Sequence, residues 1–98
     1  MIVAVFRNRV ASHAVEEFTQ RYAELSEHVV RIPGYLSHKS FVSSDDENCL
    51  IVEFATEEAF NAWDTHPEHK KAKERGKADV FSVYDVKVGR VFEHHHKP

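Results

Sequence analysis

Apolar residues crowd the first ten positions of the chain and then change rhythm. Ile2-Val-Ala-Val-Phe-Arg-Asn-Arg-Val10 is rich in β-branched residues and apolar at both parities over its first half. That predicts a strand over Ile2 to Val10, buried on both faces of a sheet. From Val15 the period lengthens. Val15, Phe18, Tyr22, Leu25 and Val29 recur at spacings of three and four, which is the stripe of an amphipathic helix. Glu16, Glu17, Gln20, Arg21, Glu24 and Glu27 fall mostly on its other faces. Ser12 is placed to accept a hydrogen bond from the first-turn amides. Pro33-Gly34 stops the helix, because proline disfavours a helical residue before it and glycine permits the turn.

Two shorter runs follow, Tyr35 to Ser43 and Asn48 to Ala55, joined by the polar turn Ser44-Asp45-Asp46-Glu47, and together they predict a hairpin. Thr56 caps a second helix that opens on Glu57-Glu58, where acids suit the positive helix end, and runs through Phe60 and Trp63. Pro67 kinks that helix or starts a new one. Gly76 is placed to end it, and Val80 to Phe92 alternates enough for a long last strand. The order is β-α-β-β-α-β. It predicts an α+β, ferredoxin-like domain: an antiparallel four-stranded sheet with two helices on one face. Residues 1–93 form the domain and residues 94–98 a polar, His-rich tail. The other sheet face would carry Val3, Val5, Cys49 and Ile51. An apolar patch of that kind is not left wet. The expected cover is a second copy, giving a homodimer through the sheet faces.

Composition narrows the classes. The 98 residues allow one domain. An apolar content of 42% and a charged content of 30% are those of a soluble globular protein. No apolar run approaches the roughly 20 residues needed to cross a bilayer, and no leader pattern opens the chain. No membrane partner is therefore expected, and a cytoplasmic setting is. Cys49 is the only cysteine, so no internal disulfide can form, and its apolar neighbours mark it as a buried strand residue. A net charge of −3 argues against nucleic acid as a partner. Cations gather locally, however: Lys70, Lys71, Lys73, Arg75 and Lys77 face only Glu68 and Glu74. That run is either a solvated helix face or an attractor for an anionic small molecule.

Candidate chemistry concentrates in Phe60-Asn-Ala-Trp-Asp-Thr-His-Pro-Glu-His69, which holds the only tryptophan and two of the eight histidines. An indole fills a core or walls a cavity. A histidine beside it can move a proton near neutral pH. His66 and His69 lack a third clustered ligand, so no metal site is expected. The chain has no phosphate-cradling glycine loop, no Ser-His-Asp pattern and no zinc motif.

Read in order, Ile32-Pro-Gly-Tyr35, Phe60-Asn-Ala-Trp63 leading to His66-Pro-Glu-His69, Gly76-Lys77 and the last strand with Tyr84 resemble the antibiotic biosynthesis monooxygenase domain family. The resemblance spans Met1 to Val91. It implies a dimeric α/β barrel with a pocket between sheet and helices in each subunit. It also implies oxygenation of a phenol or quinol by dioxygen, with no metal or flavin cofactor, although relatives degrade haem or isomerise small phosphorylated sugars. Asn8 and Trp63 resemble pocket residues of the haem-degrading branch. The iron-binding histidine of that branch would fall about three helical turns after the tryptophan. Lys73 stands there instead, which moves the expectation away from haem.

The metal-free chemistry has simple needs. A phenol must lose a proton before it is electron-rich enough to reduce dioxygen, so the protein supplies a base, a group to hold the substrate oxygens and a dry cavity. On the family resemblance the catalytic candidates are His69 as base, Asn8 to hold a carbonyl or phenolate, and Trp63 to wall the cavity and stack on a ring. His38, His66 and Tyr84 are candidates for substrate binding. Each has a plainer role open to it: Trp63 in the core or at a dimer contact, Asn8 in strand-end bonding, His69 in packing, His66 as the helix-start residue. The competing function is a non-enzymatic small-ligand-binding or stress-related protein on the same scaffold, with an anionic ligand at the basic run. Room for a ring beside a buried histidine favours the enzyme. A pocket filled by Phe and Leu favours the binding protein.

Overall fold

A computed structural model describes all 98 residues. The strands are β1 (Ile2–Val10), β2 (Tyr35–Val42), β3 (Asn48–Phe54) and β4 (Phe81–Arg90). The helices are α1 (Val15–Val29), α2 (Glu57–Asp64) and α3 (Pro67–Arg75). The sheet runs β2-β3-β1-β4 with every neighbouring pair antiparallel. The parallel pair β1 and β2 is thus split by β3, which gives the ferredoxin-like topology expected from the element order.

Register decides which side chains meet the helices. Ala4, Phe6 and Asn8 lie opposite Val52, Leu50 and Asn48 on β3, and opposite Val88, Val86 and Tyr84 on β4. Because strand side chains alternate, these nine share one face. That face packs under the helices around a core of Ile2, Val29, Val52, Phe54, Ala59 and Trp63, with Phe54 wholly buried.

The helix layer departs from the expected pair. Proline has no N–H to continue a helix but suits a first turn. The chain is extended at His66 and restarts with Pro67 at the head of α3, so three helices cover the sheet. Thr56 caps α2 as expected, accepting from the Ala59 amide at 3.1 Å. Ser12 does not cap α1. It lies in a short 3₁₀ turn, Ser12–Ala14, where the backbone bonds Ala14 N to Ala11 O (2.9 Å) and Ala11 N to Val80 O (2.8 Å) leave its hydroxyl no capping part.

Gly76 ends α3 where expected, as its C-cap, though not through a left-handed turn. Its backbone is right-handed helical (φ −60°), and the chain continues into one wide π-helical turn, Gly76–Val80, before β4. Glycine is required there for space: a Cβ would stand 2.6 Å from the Phe81 ring. Gly34, with φ +92°, is the residue that turns the chain into β2.

Candidate functional site

Between the sheet and the helices lies a cavity of about 360 Å³, a size at the lower end of small-molecule sites. Phe6, Asn8, Leu50 and Tyr84 line its sheet wall, and Phe18, Tyr22, Trp63 and His69 its helical wall. The β4 side is the open one. Val86 and Val88 line the cavity yet remain 54% and 45% exposed.

The corner between α2 and α3 positions the central pair. A helix leaves its last four carbonyls without intrahelical partners, and here three of the four are met by different means. Asn61 O accepts from the Thr65 amide (3.0 Å) and hydroxyl (2.8 Å). Trp63 O accepts from the His66 amide (3.0 Å) and lies 3.1 Å from His69 Nδ1. Asp64 O accepts from the Lys73 ammonium at 2.8 Å, and the same ammonium bonds the Asp64 carboxylate at 2.8 Å. The bond from Trp63 O draws the imidazole flat against the indole, with ring centroids 4.5 Å apart and planes 11° from parallel.

That geometry sets the state of His69. A carbonyl oxygen only accepts, so Nδ1 must carry the proton. In the neutral ring the lone pair is then on Nε2, which has no protein partner. Burial against Trp63 is the main influence on its acidity and pushes its pKa below the ordinary 6.5; the bond to Trp63 O opposes this, and the nearby Lys73 charge adds to it. The neutral, basic form is favoured at physiological pH.

Asn8 is 2% exposed, and its Oδ1 accepts from Asn48 Nδ2 at 3.3 Å. Its own amide nitrogen makes no protein hydrogen bond, yet no wholly buried polar atom is left unpartnered. The nitrogen therefore opens on the cavity and offers a donor there. Tyr84 sits beside Asn8 on β4, 46% exposed at the cavity edge. His38 lines the cavity from β2, with Nδ1 2.6 Å from the Tyr35 hydroxyl. His66 lies outside the lining. Its Nδ1 accepts from the Glu68 amide at 3.2 Å, capping α3, and its ring lies 5.3 Å from His28 and 5.5 Å from Trp63.

Tyr22 is the lining residue that sequence reasoning absorbed into the α1 stripe. Its hydroxyl accepts from Ser40 at 2.6 Å, bridging α1 to β2 along the cavity. The signal was the phenol itself, since a half-buried tyrosine needs a polar partner. The basic run is partly occupied. Besides Lys73, Arg75 makes a two-pronged pair with Glu17 at 2.8 and 2.9 Å, which lowers the Glu17 pKa, and Lys71 lies 3.7 Å from Glu68. No group of three or more His, Cys, Asp or Glu side chains is gathered closely enough to hold a metal ion.

The family model for antibiotic biosynthesis monooxygenases matches residues 1–75. The chain belongs to the antibiotic biosynthesis monooxygenase family. Within curated proteins it is similar to the uncharacterized protein YqjZ of Bacillus subtilis (strain 168), 31% identical over 74 residues. The match covers 71% of this chain and 65% of YqjZ, so the chain spans less than two thirds of that relative. Among solved structures it resembles Rv0793 from Mycobacterium tuberculosis, with TM-score 0.84, 12% identity, and 97% and 98% of the two chains covered. It also resembles SnoaB, a cofactor-independent oxygenase from Streptomyces nogalater, with TM-score 0.78, 18% identity, and coverage of 95% and 94%. At such identities the shared property is the fold of this monooxygenase family, in which cofactor-independent oxygenases occur. No helix of the chain is long and apolar enough to cross a membrane.

Proposed function

We propose that this chain is a cofactor-independent monooxygenase that oxidises a small aromatic phenol or quinol with dioxygen. The observation that carries the reading is His69: neutral, protonated on Nδ1, with a free Nε2 lone pair beside an aromatic cavity. Nε2 takes the phenolic proton, and the Asn8 amide donor holds the developing oxyanion. The phenolate gives one electron to dioxygen, and the two radicals join as a bond between a ring carbon and oxygen. Loss of water from the resulting hydroperoxide and its C–H leaves a second carbonyl. Phenol and dioxygen thus become quinone and water. All four electrons come from the substrate, so no further reductant enters.

A cavity of about 360 Å³ lined by His69 has room for a ring, which supports the enzyme over the ligand-binding protein. The pairing of Lys73 and Arg75 with acids reduces the charge the basic run offers an anionic ligand, although Lys70 and Lys77 make no ion pair. The same reading includes a homodimer. Phe41 and Val83, on the sheet face turned from the helices, are 46% and 56% exposed, and a second copy there would bury them. Sedimentation should then give twice the chain mass, whereas a monomer at working concentration removes the dimer.

The test of activity is dioxygen uptake with a panel of phenols and hydroquinones, with no added metal or flavin. Uptake above buffer is expected for at least one. None across the panel removes the oxygenase reading.

A further inference from the structure

The α2–α3 corner holds a bond that an ordinary helix could not make. In a continuing helix the Trp63 carbonyl would accept from the amide four residues on. Residue 67 is proline and has no N–H to give. The oxygen has two lone pairs. The His66 amide takes one at 3.0 Å and the His69 ring the other at 3.1 Å.

We propose that Pro67 is a positioning residue: by withholding an amide proton from Trp63 O, it hands that oxygen to His69 and so fixes which imidazole nitrogen is the base. The inference rests on the reading of His69 as the base and adds what sets its tautomer and aim.

Geometry supports this from a second direction. In an unbroken helix residue 69 would stand about 9 Å further along the axis than residue 63 and about 240° round it. No imidazole at that place could lie flat on the Trp63 indole. The observed stack, with planes 11° apart, therefore requires the break, and the extended backbone at His66 is where the chain makes it. His66 shows the alternative within the same corner. Its Nδ1 accepts from an amide, so its neutral ring carries the proton on Nε2. Two histidines three residues apart are thus held in opposite tautomers, each by one backbone group. Only His69 lines the cavity.

A free imidazole in water favours the proton on Nε2, so the assigned state of His69 is one the protein must impose. The experiment is nitrogen NMR of histidine-labelled protein without ligand, at a pH where the rings are neutral, on the wild type and on Pro67→Ala. The wild type should show His69 protonated on Nδ1 and His66 on Nε2. In Pro67→Ala the His69 proton should move toward Nε2, and kcat for dioxygen uptake should fall about tenfold or more, with a smaller change in KM. A wild-type His69 protonated on Nε2 overturns the proposal, and that result needs no variant to fold. A folded Pro67→Ala that keeps the proton on Nδ1 overturns it equally. The tautomer is read without substrate, so an inactive protein with the assigned tautomer would sink the oxygenase reading, and with it the role of His69 as base, while a Pro67-dependent tautomer would still be seen.

Discussion

On the sheet wall of the cavity, Phe6 and Asn8 are held by ladder bonds that any antiparallel strand makes. At the α2–α3 corner, Trp63 and His69 are held by bonds that exist because a helix stops. The sheet wall is redundant. β1 has a partner on each side, and Phe54 and Val52 bury the apolar face beneath it. The corner has few spare partners, and side chains meet three of its terminal carbonyls. Stability should therefore answer mainly to the sheet, and turnover mainly to the corner.

That contrast can be broken in four places. Phe54→Ala empties the centre of the core and should cost about 3–5 kcal/mol in unfolding free energy, read as a lower urea midpoint. A loss under about 1 kcal/mol would mean that the core is not where stability resides. His69→Ala should reverse the pattern. Dioxygen uptake should drop about a hundredfold, the lower range for a general base, while the urea midpoint moves far less than in Phe54→Ala. Equal effects on both would make His69 a packing residue.

Thr56→Ala removes the oxygen that caps α2 and should cost about 1 kcal/mol, with KM unchanged because Thr56 does not line the cavity. A raised KM would tie the start of α2 to the site. The smallest effect is with pH. The folded pKa of His69 lies below its unfolded 6.5, chiefly through burial, so the folded state binds fewer protons. Its contribution to stability is complete above 6.5 and is lost as pH falls through the lower folded value. Wild type should thus lose slightly more stability than His69→Gln on acidification below 6.5. Parallel curves would show that the ring pays no burial penalty.

The same contrast governs what could be read from the sequence. β1 begins and ends where its β-branched run does, and Thr56 caps where it stands before two acids, because periodicity and capping are local properties. Pro67 announced a break but left kink and restart both open. Only the fold shows that His69 reaches back six residues to the Trp63 carbonyl. His66 was open both to substrate binding and to the helix start, and the bond from the Glu68 amide makes it the cap of α3. Ser12 misled, and the reason for glycine at position 76 stayed hidden, because both depend on neighbours outside the local pattern. Val80, distant in sequence, holds the backbone beside Ser12, and the Phe81 ring five residues on leaves no room for a Cβ at Gly76. Lys73 spoke against iron through its side chain alone. Its bond to the Asp64 carbonyl adds that it fastens the end of α2.

The stack of Trp63 on His69 also makes the protein its own spectroscope. Trp63 is the only indole in the chain, so all tryptophan emission comes from one address. An imidazolium in contact with an indole quenches it, whereas a neutral imidazole does so weakly. Brightness against pH would then report the charge on the two rings that flank it, His69 and His66, in a cuvette, with no label attached.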